Sequence, residues 1–168
     1  MINSASTEQL RALRSETGAP VLECRKALDA AQGDLARARA LLKERGYALA
    51  AQKAGRATGQ GSVGVYVHGP DGRIAAMVLL RCETDFVARS PVFQSLAKDL
   101  AMHVAAMNPQ AVRSEDTPAG SPLEETALLA QPFVKSGEGG LTVADLLAAK
   151  VLELGENIVV DRFARFAV

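Results

Sequence analysis

The chain has 168 residues, 48% of them apolar and 23% charged, ordinary proportions for a globular protein with one good core or a core plus a small satellite domain. No run of about 18 apolar residues occurs, which excludes a membrane-spanning helix, and two cysteines are too few for a disulfide framework. Net charge is zero, but residues 1–56 carry ten Lys/Arg against six Asp/Glu and the remainder nine against thirteen, an asymmetry too weak to predict a nucleic-acid interface.

Met1 to Ser6 lacks the basic flank and apolar centre of a signal peptide, so a reducing cytoplasm is the expected location. Ser6-Thr7-Glu8-Gln9 fits a capping box opening a first helix with Leu10 and Leu13 on its apolar side. Thr17-Gly18 stops it, and Pro20 suits the first turn of a second helix bearing Val21, Cys24, Ala27 and Leu28 on one face. Asp34 caps a third, with Leu35, Ala38, Leu41 and Leu42 as its stripe and Gly46 as its expected stop. Such stripes are buried only against each other, which predicts a compact three-helix bundle. An Ala-rich helical connector then runs from Tyr47 to about Arg56, and Thr58-Gly59-Gln60-Gly61 breaks the pattern. The expected domains are therefore 1–56 and 57–168.

Residues 63–68 and 73–82 flank Gly69-Pro70-Asp71-Gly72, a strong hairpin signal. Pro91 opens a helix to about Met107 with Phe93, Leu96, Leu100, Val104 and Met107 on one face, which Asn108-Pro109 stops. Residues 111–124 read as a loop and 127–134 as extended. Thr142 caps a further helix ending at Gly155, and Ile158-Val159-Val160 begins a last strand. The predicted class is α+β: a three-helix bundle, a helical connector, then an antiparallel sheet covered by helices.

Catalytic signals are sparse. Gly59-Gln60-Gly61-Ser62-Val63-Gly64 matches G-x-G-x-x-G, but it follows a helical connector and enters a strand, the reverse of a dinucleotide site. No nucleotide-binding phosphate loop is present. His68 and His103 have no partner at metal-ligand spacing, so no metal and no cofactor is expected. His68 reads as a solvated turn residue, and His103 as either half-exposed at an interface or a satisfied core histidine. Cys24 reads as a small core residue. Glu115-Asp116 and Glu124-Glu125 are adjacent acids in a loop, without the fixed separation that acid–base chemistry needs. These patterns speak against an enzyme.

Thr84-Asp85-Phe86-Val87, at a strand-to-helix corner, leaves two readings open. Phe86 tucks under the sheet while Asp85 caps the turn, or the ring projects as a wedge into a partner's pocket beside a carboxylate that competes for polar contacts. A three-helix-domain adaptor remains the alternative class of function.

Six stretches in order give a resemblance. They include Leu13-Arg14-Ser15-Glu16-Thr17-Gly18-Ala19 with Glu23-Cys24-Arg25-Lys26-Ala27-Leu28, Lys53-Ala54-Gly55-Arg56, and Cys82-Glu83-Thr84-Asp85-Phe86-Val87-Ala88-Arg89. Ala101-Met102-His103-Val104-Ala105, Gln131-Pro132-Phe133-Val134 and Gly155-Glu156-Asn157-Ile158-Val159-Val160 complete the set. Together they resemble bacterial elongation factor Ts, the exchange factor for guanine nucleotide on elongation factor Tu. The resemblance implies a ubiquitin-associated-like N-terminal bundle and an Asp85-Phe86 wedge, flanked by Thr84 and Val87, that disturbs the magnesium and phosphate contacts of factor Tu. It also implies further partner contacts at Arg14, Val21, Leu22 and His103, and a homodimer built from a single core unit. Factor Tu, GDP-bound or nucleotide-free, would be the partner, with no nucleic acid or membrane bound directly. The chain departs from the family pattern in three places. Val21-Leu22 replaces a usual methionine pair, with Pro20 for a glycine; the segment from Arg113 to Gln131 is much shorter; and Asp161 stands where a basic residue is common.

Overall fold

The computed structural model describes residues 6–137 and 140–168, without the side chains of residues 123 and 124. The expectation for Met1–Ala5 and half of the Glu124–Glu125 pair fall outside these. The chain folds as two units, Met1–Gly55 with Leu147–Glu156, and Arg56–Leu146 with Asn157–Val168.

The first unit holds α1 (Thr7–Thr17), α2 (Val21–Ala30) and α3 (Leu35–Lys53). The Ser6 capping box forms as the sequence dictates: Ser6 Oγ accepts from the Gln9 N–H at 3.1 Å, while Gln9 Oε1 accepts from the Ser6 N–H at 2.9 Å. Gly18, at φ +68°, closes α1. Leu13, Cys24, Ala27, Leu28, Ala38 and Leu42 form the core, joined by Leu152 from the helix α7 (Val143–Leu154). Gly46 does not stop α3, which runs without a break into the expected connector. A Cβ at Gly46 would stand 2.9 Å from the Ala148 carbonyl oxygen, so glycine is required there by close approach of another backbone.

The second unit is a three-stranded antiparallel sheet in the order β1 (Gln60–His68), β2 (Ile74–Cys82), β3 (Val159–Ala167). Pairing of His68 with Ile74 closes the hairpin, and Gly69 and Gly72 adopt positive φ in its loop. Alternation along β2 turns Ala76, Val78, Leu80 and Cys82 inward. They meet Phe93, Leu96, Ala97, Leu100, Ala101 and Val104 of α5 (Pro91–Met107), and Met107 is exposed at the last turn. Gly64 lies against α5 so closely that a Cβ would collide with the Ala97 carbonyl. The G-x-G-x-x-G stretch is thus mostly strand, with its last glycine used for helix–sheet packing.

The sheet's other face carries rows of three: Val63, Leu79 and Arg162; Val65, Met77 and Ala164; Val67, Ala75 and Phe166. Val63, Val65, Val67, Met77 and Phe166 are all exposed there. Asp161 sits 3.5 Å from Arg81 and 3.4 Å from Arg162, which gives this acid two cations on its own sheet. Residues 127–134 are not a strand. Ala127 and Pro132 make single bridges, and a 3-10 turn, Leu128–Ala130, lies between them. A 3-10 turn at Ser114–Asp116 and the short helix α6 (Leu123–Thr126) punctuate the expected loop.

Candidate functional site

Between β2 and α5 the chain forms a helix of five residues, α4 (Asp85–Arg89). A helix this short has no stability of its own, because nucleation costs more than its few hydrogen bonds return. It is held from both ends. Cys82, fully buried, donates its thiol to the Thr84 carbonyl at 3.2 Å. Thr84, in extended conformation, is the N-cap, and its hydroxyl accepts from the Val87 N–H at 3.4 Å. At the other end the Ser90 hydroxyl donates to the Val87 carbonyl at 2.8 Å and accepts from the Phe93 N–H at 3.3 Å, ending α4 and capping α5 with one side chain. Gln94 Nε2 donates to the Ala88 carbonyl at 2.6 Å.

This frame fixes the rotation of the helix. Ala88 faces the protein and is 6% exposed. Two residues are roughly 200° apart around a helix, so burying Ala88 turns Phe86 outward, and its exposure is 83%. The ring is not under the sheet, and the cap is Thr84 rather than Asp85. Asp85 occupies the first turn, where the helix dipole favours a negative charge, and Arg89 lies 3.4 Å from it on the exposed side. The site therefore presents an aromatic ring and a carboxylate side by side on a short rigid platform.

Arg14, Val21 and Leu22 are exposed on α1 and α2 of the first unit, Leu22 at 62%. His103, expected at a partner contact, is fully enclosed. Its Nδ1 accepts from the Val134 N–H at 3.2 Å, which leaves the proton on Nε2 to donate to Gln131 Oε1 at 2.9 Å. Gln131 in turn donates to the Glu125 carbonyl at 2.7 Å, and the Phe133 ring lies 5.8 Å from the imidazole. With both nitrogens used inside, His103 is a satisfied core histidine and has no free edge for a partner. Burial pushes its pKa below the ordinary histidine value, opposed in part by the Gln131 hydrogen bond.

His68 is exposed at the hairpin mouth with its Nδ1 3.1 Å from the Tyr66 hydroxyl. Burial pushes the Cys24 thiol up, away from the reactive thiolate. Among the described residues no group of three or more His, Cys, Asp or Glu is placed to hold a metal ion, and no helix is long and apolar enough to cross a membrane. The supporting roles of Ser90 and Gln94 were missed in the sequence. Pro91 signals a helix start, but nothing in the spacing shows that the serine before it both caps that helix and ends the one preceding it.

Comparison with known proteins points to the same family. The sequence model of the family described as Elongation factor TS matches residues 36–138. The chain is 41% identical to elongation factor Ts of Koribacter versatilis, over 97% of its own length and 88% of the relative's. It is 40% identical to that of Herpetosiphon aurantiacus over 98% of each, and 38% identical to that of Carboxydothermus hydrogenoformans over 96% and 88%. The Herpetosiphon alignment occupies 195 positions against 168 residues here, so that relative carries additional residues. Fold and comparisons together define the class, a translation elongation factor. Within that class, the chain belongs to the elongation factor Ts family.

Proposed function

We propose that this protein binds elongation factor Tu and accelerates release of its GDP by inserting Asp85 and Phe86 at the nucleotide site. The observation that carries the reading is the 83% exposure of Phe86 on a helix pinned at both ends. A large aromatic side chain held in water gains about 1.5–3 kcal/mol when a partner buries it. Asp85 beside it carries a negative charge toward any phosphate or metal contact it meets. Acceleration by 10⁴ would take roughly 5.5 kcal/mol off the release barrier, of which burying one ring and displacing ionic contacts supplies a good part. The coupling is reciprocal: a factor that weakens nucleotide binding is itself displaced by nucleotide. No covalent step is involved, so the protein acts as an exchange factor without being an enzyme.

Exposed Arg14, Val21 and Leu22 provide a second contact from a ubiquitin-associated-like bundle. The protein works in the cytoplasm as a homodimer. Support for pairing comes from the outer face of the sheet, where five large apolar side chains stand in contiguous rows and Phe166 is 67% exposed.

The test is release of fluorescent GDP from purified elongation factor Tu. Wild type is expected to accelerate it strongly and Phe86→Ala to lose at least about tenfold, the scale of a buried aromatic anchor. Equal acceleration by both would reduce Phe86 to a bystander. No acceleration by wild type would remove the exchange reading and favour a bundle-based adaptor.

A further inference from the structure

The residue just before the N-cap of α4 is tied to two distant segments of its own unit. Glu83 Oε1 accepts from the backbone N–H of Asn157 at 2.7 Å, immediately before β3. Its other oxygen, Oε2, lies 3.5 Å from an Arg56 guanidinium nitrogen, where the connector enters the unit. Asn157 closes the ring by donating its side-chain Nδ2 to the Arg56 carbonyl at 3.0 Å. Asn157 is itself buried, so its amide has been taken out of water and depends on such partners. Three segments far apart in sequence thus meet at one carboxylate. That carboxylate belongs to the peptide from which Thr84, Asp85 and Phe86 project.

We infer that Glu83 is a positioning residue for nucleotide exchange: its clamp to Asn157 and Arg56 sets the direction in which the Asp85-Phe86 pair leaves the sheet. The inference rests on the wedge reading above. Glu83 is not itself the group that enters the partner, because its oxygens are occupied inside the protein and its side chain is four-fifths covered. Its effect is transmitted through the backbone. Without it the strand end keeps its other ties, the Cys82 thiol bond among them, but loses the link to Asn157 and Arg56, and the ring samples directions that miss its pocket. Misplacement by about 1 Å costs up to roughly 100-fold in a rate that depends on orientation.

The consequence differs from that of a contact residue or a merely stabilising one. Encounter with GDP-bound factor Tu uses surfaces that Glu83 does not form, so the half-saturating concentration should stay within about threefold, while the saturating release rate falls about 10- to 100-fold in Glu83→Ala. Glu83→Gln keeps an oxygen for the Asn157 amide and gives up the ion pair to a half-exposed arginine, so it should retain most of the rate.

The experiment measures fluorescent GDP release from elongation factor Tu across a concentration series of wild type, Glu83→Ala, Glu83→Gln, Phe86→Ala, Asp85→Ala/Phe86→Ala and the Glu83→Ala/Asp85→Ala/Phe86→Ala triple variant, with the melting temperature of each. If Glu83 acts through the wedge, the triple variant is no slower than Asp85→Ala/Phe86→Ala alone. A wild-type saturating rate in Glu83→Ala, whatever its melting temperature, overturns the inference. So does a triple variant slower than Asp85→Ala/Phe86→Ala, which would make Glu83 an independent contact. Phe86→Ala releasing GDP at the wild-type rate would bring down the wedge reading and this role with it, a result distinct from failure of the Glu83 variants alone. Should Glu83→Ala not fold, Glu83→Asp keeps the charge, withdraws the oxygens by about one C–C bond, roughly 1.5 Å, and carries the same expectation.

Discussion

Phe86 spends its apolar surface in water, and removing the ring should cost the free protein little. Phe86→Ala at this exposed helical position is expected to change stability by no more than about 0.5 kcal/mol, since alanine is also the better helix former. Coincident urea melts of variant and wild type would show it, and would separate a loss of exchange from a loss of fold. His103 behaves in the opposite way. Its folded pKa lies below the ordinary value of about 6.5, so the unfolded chain takes up the proton first as pH falls. Stability from this residue is complete above about pH 6.5 and declines below it, until the folded form also protonates. The proton would have to enter at Nδ1, against the Val134 N–H that now donates there. Urea titrations between pH 7.5 and 5 should show a steeper loss in wild type than in His103→Gln. The sequence could not choose between core and interface for this histidine, because a residue one step off an apolar stripe is placed by what covers that edge. Here the cover is Gln131 and Phe133, about thirty residues away.

Elements with full helical or alternating periods were legible, and those decided by a neighbouring backbone were not. The capping box, the hairpin, α5 and β3 follow from patterns of several residues that only one geometry satisfies. α4 has too few residues to show a period, and it exists because Cys82, Ser90 and Gln94 hold its ends. Ser90→Ala should therefore cost more than an ordinary cap, at the upper part of the roughly 0.5–2 kcal/mol range. It should also slow exchange by loosening α4, both measurable on one preparation by thermal melting and GDP release. Gly46 reads as a helix stop in sequence, yet it lies inside α3 because the Ala148 backbone leaves no room for a side chain. Gly64 is the same case between β1 and α5. Gly64→Ala would force the helix off the sheet and should destabilise by about 1–3 kcal/mol or more, visible as a lower urea midpoint.

At the scale of the whole molecule, the surface proposed for pairing of two copies is the outer sheet face. Val65→Lys places a charge in the middle of its rows without touching the buried side. It should leave melting nearly unchanged in dilute solution while converting a dimer to a monomer in sedimentation. A dimer that survives this change pairs through another surface. The segment after Arg113 is filled by two 3-10 turns and α6, and Gln131, fully buried behind it, ties it to α5 through His103. By itself the sequence determined the α+β class, most element positions and the Thr84-Asp85-Phe86-Val87 corner, because periodicity, caps and turn residues are local physics written in consecutive residues. Only the tertiary structure decided that Phe86 points outward, that His103 is enclosed, and that Glu83 is held by Arg56 and Asn157. Each of those depends on which distant atoms occupy the space beside a side chain, and spacing along one chain does not carry that information.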